Sequence, residues 1–217
     1  MGLRINDVAP NFTAETTAGT LTLHDWIGDG YAVLFSHPKD FTPICTTEFG
    51  AVARLAGEFE KRSTKVMGIS VDSVDDHQKW KKDIEAFAGA PANFPIADDS
   101  SLAIAKAFDM LPAEAYLPDG RTAADSATVR TVFIIGPDKK IRLTMTYPMV
   151  VGRNFAEILR ALDAVQLTDA NPLATPANWA VGQDIVVSPK LDDAKAKETF
   201  GELDVKLPYL RFAKSPS

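Results

Sequence analysis

Tyr31-Ala32-Val33-Leu34-Phe35-Ser36, followed by His37-Pro38-Lys39-Asp40-Phe41 and then Thr42-Pro43-Ile44-Cys45-Thr46-Thr47-Glu48, is the stretch on which the fold turns. The first six residues form a short apolar run, the pattern of a buried strand. A polar loop follows. Pro is favoured at the first helical position and Thr is a good N-cap, so the spacing predicts a helix starting at Pro43 with Thr42 as its cap. Cys45 is then the third helical residue. Unpaired backbone amides and the positive end of the helix dipole favour a thiolate there. A strand that feeds such a turn fixes its position, and loops held by a rigid scaffold are where reactive groups sit.

Outward from this stretch, Phe49, Val52, Ala53, Ala56 and Phe59 recur at helical spacing and predict one apolar helix face. Lys65 to Val71 reads as a second buried strand. Ser73, with Asp76 three residues on, reads as the N-cap of a helix whose inward face is Trp80, Ile84 and Phe87. Pro91 and Pro95 mark a loop, Leu102 to Phe108 a short helix, and Pro112 to Ala127 an irregular stretch. Thr131 to Ile135 is a β-branched strand ending at Gly136-Pro137-Asp138, and Lys140 to Tyr147 is its hairpin partner. Asn154 and Glu157 make a capping-box-like start to a helix carrying Phe155, Ile158, Leu159, Leu162 and Val165 on one side. Early strand–helix–strand units imply parallel pairing, and the late hairpin adds an antiparallel edge. The predicted architecture is α/β: a mixed central sheet flanked by helices, compatible with a thioredoxin-like core.

Past residue 170 the texture changes, with Pro172, Pro176, Pro189 and Pro208 interrupting the chain. One strand, Ile185 to Val187, and one helix, Asp192 to Phe200, can be placed. We expect a main domain over 1–168 and a small C-terminal extension over 169–217. The extension is too short to bury a core of its own and should pack on the main domain or on a second subunit.

The chain has 217 residues, 46% hydrophobic and 24% charged, with a net charge of -6. Its clusters of lysine, Lys79 with Lys81 and Lys82, and Lys139 with Lys140, are short. Nucleic acid is not an expected partner, because phosphate binding needs a basic stripe. The longest apolar runs are too short to span a membrane. Met1 to Asp7 lacks the apolar stretch of a secretory leader, and Asn6 stands where a myristoylation signal wants Ser or Thr. Cys45 is the single cysteine, so a reducing compartment is expected, the cytoplasm by default. His24, His37 and His77 show no metal-ligand spacing, and neither a metal nor another cofactor is expected.

The string Pro38-x-x-x-Thr42-x-x-Cys45 resembles the active-site signature of peroxiredoxins, and Phe35 to Glu48 as a whole resembles the 1-Cys, peroxiredoxin 6 subfamily. Arg130 to Lys140, Tyr147-Pro148, Gly152-Arg153-Asn154-Phe155, Ala174-Thr175-Pro176 and Tyr209-Leu210-Arg211 extend the likeness over nearly the whole chain. The resemblance implies a thioredoxin-like fold and a thiol peroxidase. Cys45 would attack the terminal peroxide oxygen, leaving a sulfenic acid and an alcohol or water. Arg130 would stabilise the thiolate and the developing charge. Thr42 would hydrogen-bond thiolate or peroxide, a use of its hydroxyl that competes with capping. Pro38 would shield the sulfur, Glu48 and Arg153 would orient Arg130, and His37 would line the mouth.

With no second cysteine the sulfenic acid needs an external reductant, for which the resemblance suggests glutathione or a thioredoxin-like protein. It also implies a homodimer and hydrogen peroxide or organic hydroperoxides as substrates. The subfamily's second activity, a phospholipase, uses a Ser-His-Asp set. His24 and Asp138 match two members, but Gly30 stands at the serine, so that activity is not expected. The competing reading of the same cysteine is a redox sensor or chaperone-like thioredoxin-fold partner.

Overall fold

A threonine-rich hairpin precedes the apolar run: β1 (Thr13–Thr16) and β2 (Gly19–Thr22), turned at Gly19, whose φ of +91° suits glycine. The short α1 (Leu23–Ile27) leads to β3 (Tyr31–Ser36), the predicted buried strand. The computed structural model describes residues 2–116 and 127–216, the side chains of Glu114 and Tyr116 excepted, so most of the stretch read as irregular lies outside the described residues.

After β3 come α2 (Pro43–Arg54), α3 (Ala56–Lys61), β4 (Thr64–Ser70) and α4 (Val74–Ala88). Then follow β5 (Ile96–Asp98), α5 (Ala103–Ala107), β6 (Arg130–Ile135) and β7 (Ile141–Tyr147). The sheet order is β2-β1-β5-β4-β3-β6-β7. β3, β4 and β5 pair in parallel, as strand–helix–strand units require, whereas β6 runs antiparallel to both β3 and β7. This is the mixed thioredoxin-like sheet that the sequence predicts. Alternation along β3 sends Leu34 into a core with Met67, Ile69, Phe108 and Phe133, and Phe35 to the other face, 4.9 Å from the Phe49 ring of α2.

Two details depart from the sequence reading. The apolar face from Phe49 to Phe59 is divided between two helices, because the backbone leaves helical geometry at Leu55 (φ -96°, ψ 5°). Phe87 does not point inward. It is 53% exposed, its ring covering Gly50 and lying 5.8 Å from the Arg54 guanidinium. The N-cap at Ser73 forms as expected, its hydroxyl accepting from Asp76 N at 3.2 Å, and Gly89 closes α4 in the left-handed conformation.

By packing, the chain divides into Met1–Phe155 and Ala156–Ser217. The sequence reading sets the boundary between residues 168 and 169, inside the last turn of the helix Phe155–Ala170 (α6), and packing divides the chain after that helix's first residue. The C-terminal unit holds more structure than its prolines suggest. Strands β8 (Leu173–Ala174), β9 (Ile185–Val187), β10 (Asp204–Leu207) and β11 (Leu210–Ala213) form an antiparallel sheet in the order β10-β11-β9-β8, with α7 (Asp193–Phe200) between β9 and β10. Its core gathers Leu173, Trp179, Ile185, Val187 and Ala213. Arg211, buried, ties β11 to the start of α7 through Asp193 at 2.6 Å and the carbonyls of Ser188 and Leu191.

Candidate active site

β3 ends at Ser36, and one further parallel bond, His37 N to Ile69 O at 2.9 Å, carries its direction into the loop. Pro38 is buried there and has no N–H to leave unpaired. Asp40 N donates to Asp72 Oδ2 at 2.9 Å. Phe41 then takes φ +55°, a left-handed conformation that a bulky side chain adopts only when the surroundings impose it. Thr42 is extended (φ -112°, ψ 147°) and α2 starts at Pro43. Cys45 is therefore the third residue of α2, as the sequence predicts, and it is fully buried.

The Thr42 hydroxyl does not take the capping role expected of it. It makes no cap bond and instead donates to the carbonyl of Lys39 at 2.8 Å. The reason is local: Lys39 lies three residues back, across the left-handed turn at Phe41, so its carbonyl is within reach.

Arg130, the first residue of β6, is the neighbour of the sulfur. Its Nη1 donates to Cys45 Sγ at 3.4 Å and to Glu48 Oε2 at 2.6 Å, while its Nε donates to the carbonyl of Met149 at 2.8 Å. Glu48 lies one turn after Cys45 on α2. Its Oε1 accepts from Arg153 N (2.8 Å) and Nε (2.9 Å), and its Oε2 from Arg153 Nη2 (2.7 Å). Arg153 Nη1 in turn donates to Ser36 O at 2.8 Å, and its guanidinium lies 4.9 Å from the Phe35 ring centre. Burial alone would raise the Glu48 carboxyl, but hydrogen bonds and charge from Arg153, with the charge of Arg130, hold it below the ordinary value. Burial pushes the Arg153 guanidinium down, against the pull of Glu48.

This joins Cys45, Arg130, Glu48 and Arg153 in one buried network. His37 is not part of it. Its ring stacks on Trp80 and hydrogen-bonds Asp40 at 2.7 Å. Sequence reasoning missed Asp40 and His77, which the structure pairs through a 2.6 Å contact. A signal existed for His77: it lies three residues before Trp80 and seven before Ile84, on the apolar stripe of α4.

A thioredoxin-like sheet that sets a cysteine in the first turn of a helix, with a buried arginine donating to its sulfur, defines a class: thiol peroxidases acting through a peroxidatic cysteine. Comparison with known proteins makes the class specific. Residues 5–144 match the AhpC/TSA family, and residues 164–203 match the C-terminal domain of 1-Cys peroxiredoxin. The chain is 48% identical to mitochondrial peroxiredoxin PRX1 of Saccharomyces cerevisiae over 98% of its length and 81% of that protein's. It is 47% identical to peroxiredoxin-6 of Rattus norvegicus over 99% of both. The solved structure of a Cys-to-Ser mutant of peroxiredoxin 6 from Arenicola marina superposes with a TM-score of 0.92, at 42% identity and full coverage of both chains. The chain belongs to the AhpC/TSA family, as a peroxiredoxin of the 1-Cys type: a thiol peroxidase with a C-terminal 1-Cys domain.

Proposed function

We propose that Cys45 reduces hydrogen peroxide and organic hydroperoxides, lipid hydroperoxides among them, with Arg130, Thr42 and Pro38 completing the site and Glu48, Arg153 and His37 supporting it. The observation that carries this reading is the 3.4 Å hydrogen bond from Arg130 to Cys45 Sγ, made by a guanidinium already fixed by Glu48 and Met149. A fixed cationic donor favours the thiolate and the charge that spreads over the peroxide oxygens as the S–O bond forms and the O–O bond breaks. The Thr42 hydrogen is committed to Lys39, so its oxygen is free to accept from a peroxide O–H. Pro38, buried in the loop before the helix, shields the sulfur.

The sulfenic acid is reduced from outside. The solved structure of the yeast mitochondrial 1-Cys peroxiredoxin, 46% identical with a TM-score of 0.88, is described in terms of thiol resolution through glutathione and thioredoxin systems. The single cysteine here supports the same class of donor, a small thiol or a thioredoxin-like protein. Mass spectrometry after one equivalent of hydrogen peroxide should show one added oxygen on Cys45, removed by one of these donors with repeated turnover. Undiminished peroxide consumption by Cys45→Ser ends the reading, and oxidation without turnover favours a sensor.

No helix among the described residues is long and apolar enough to cross a membrane. The proposed compartment is the cytoplasm, where thiol donors are abundant, and the proposed assembly is a homodimer, checked by light scattering. Phospholipase action by the Ser-His-Asp route is not proposed. A Cβ at Gly30 would lie 2.7 Å from Ser63 O, and the His24 Nε2–H is spent on the carbonyl of Ala9 at 2.8 Å. We expect no lipid hydrolysis that depends on His24 by mass-spectrometric product analysis.

A further inference from the structure

Arg130 is held at its side-chain end by Glu48 and Met149. A guanidinium on a long stem reaches a fixed point only when its backbone is fixed as well. The ladder between β3 and β6 does not do this. Its register runs from Ala32 opposite Ile135 to Phe35 opposite Val132 and ends before Ser36 and Thr131. Arg130 lies beyond that last rung, opposite Tyr147 of the edge strand β7. Of the bonds from Arg130 to Cys45, Glu48 and Met149, the first is the longest, 3.4 Å against 2.6 and 2.8 Å. It is the one that yields first when the backbone shifts.

A side chain stands in for the missing rung. The Ser36 hydroxyl donates to Val129 O at 2.5 Å and accepts from Thr131 N at 3.0 Å. Val129 and Thr131 are the residues immediately before and after Arg130. A hydroxyl has one hydrogen to give, and here its hydrogen and a lone pair are spent on the same stretch of backbone. Ser36 and Thr131 are 0% and 1% exposed, so solvent does not compete for either bond. The Thr128 hydroxyl extends the stitching by donating to His37 O at 2.8 Å. The Thr131 N–H thus goes to the Ser36 hydroxyl, while the Ser36 carbonyl accepts from Arg153 Nη1 at 2.8 Å. The same nitrogen lies 3.3 Å from Thr131 O. Arg153 holds Glu48, and Glu48 holds Arg130. One residue therefore reaches Arg130 from both ends. Its hydroxyl fixes the backbone, and its carbonyl anchors the arginine behind Glu48.

We propose that Ser36 is a positioning residue of the peroxidatic site: by bridging Val129 and Thr131 it sets the backbone of Arg130 so that the guanidinium reaches Cys45. This rests on the peroxidase reading of Cys45. Ser36 acts through Arg130 rather than on the sulfur itself. Without its hydroxyl the Thr131 N–H is buried and unpaired, and the backbone around Arg130 must move to find it a partner.

In stopped flow on the full-length protein, Ser36→Ala should slow oxidation of Cys45 by hydrogen peroxide roughly tenfold. Alkylation by iodoacetamide depends on the thiolate, so its pH profile in the same variant should move up by about half a unit. A role confined to stability would move neither, and native values for both in folded Ser36→Ala overturn the inference. In an Arg130→Ala background the same substitution should change the peroxide rate by less than about twofold. A further loss as large as in the native background shows that Ser36 does not act through Arg130. Ser36→Thr keeps the hydroxyl on a residue suited to a strand, and it decides the matter if the alanine variant does not fold. It should react within about threefold of the native rate, with the native pH profile. Slowing as severe as that of Arg130→Ala would overturn the assignment. A native chain that never oxidises at Cys45 would end the peroxidase reading instead, while the alkylation profile still tests Ser36.

Discussion

Arg130 donates to Cys45, Glu48 and the carbonyl of Met149 at once, a fork that lysine cannot reproduce. Arg130→Lys and Arg130→Ala should each keep the fold and slow single-turnover peroxide reduction, the alanine by roughly a hundred- to a thousandfold. A near-normal stopped-flow rate in the alanine variant would remove Arg130 from the reaction. Glu48 faces two guanidinium groups, so Glu48→Gln leaves buried positive charge uncompensated and should destabilise the protein by about 3–5 kcal/mol in urea unfolding. The same variant should slow peroxide reduction, since Arg130 loses its shortest contact. Thr42→Ser keeps the hydroxyl and should react at close to the native rate. Thr42→Val should lose about tenfold or more. Equal rates for the two would show that only shape matters there. Cys45 was legible from the helix start at Pro43, and Arg130, Glu48 and Arg153 were named by the resemblance to peroxiredoxins; the structure joins all four in one network. Asp40 and His77 were not, because their pairing joins a loop to a helix thirty-seven residues away.

At the scale of elements, α2 is held at its working distance by an absent side chain. A Cβ on Gly68 of β4 would come within 2.7 Å of Phe49 Cζ, and that ring is walled by Phe35, Trp80, Phe94 and His37. The ring cannot swing away, so the helix that carries Cys45 must shift. Gly68→Ala should destabilise the protein by about 1–3 kcal/mol and also slow peroxide reduction, read by thermal unfolding and stopped flow. Loss of stability at full rate would show that α2 does not feel the strain. The cap of α4 is a separate matter: Ser73→Ala should cost about 1 kcal/mol with no effect on rate. Strands β3, β4, β6, β7 and β9, the α4 cap and the helix start at Pro43 were legible because each rests on neighbouring residues. The break at Leu55, the exposure of Phe87 and the strands β1, β2, β5, β8, β10 and β11 were not, since packing partners decide them.

For the molecule as a whole, the buried ionisable groups set the response to acid. His37 is pushed below its ordinary value of 6.5 by burial, so the unfolded chain takes up its proton first, and stability falls as pH drops below that value. Asp40 and Glu48 are held below their ordinary values of 3.8 and 4.5; their contribution is complete above those values and is lost as pH falls through the lowered ones. Asp99 works the other way. Burial raises it above 3.8, so its protonation favours the folded state as acid is added and offsets part of the loss. Urea unfolding across a pH series should show a first decline beginning near pH 6.5 and a steeper one in the carboxyl range. A flat profile between neutral pH and 5, about one and a half units below the His37 reference, would contradict the assignment.

By itself the sequence determined the chemistry of the site and the class of fold. A buried strand and a proline-started helix with a lone cysteine in its first turn are local patterns, since backbone propensity and capping act over a few residues, while the charged set is named by the resemblance to peroxiredoxins. What only the tertiary structure decided is how groups far apart in the chain share protons and charge. The hydrogen of Thr42 went to Lys39 because Phe41 takes a left-handed turn, which no propensity foretells. His37 was joined to Asp40, and Asp40 to His77 of α4, leaving the buried His37 Nδ1 without a partner among the described residues. Such assignments depend on which acceptors the folded chain brings within three ångströms, and water is excluded from that choice only once the core has closed.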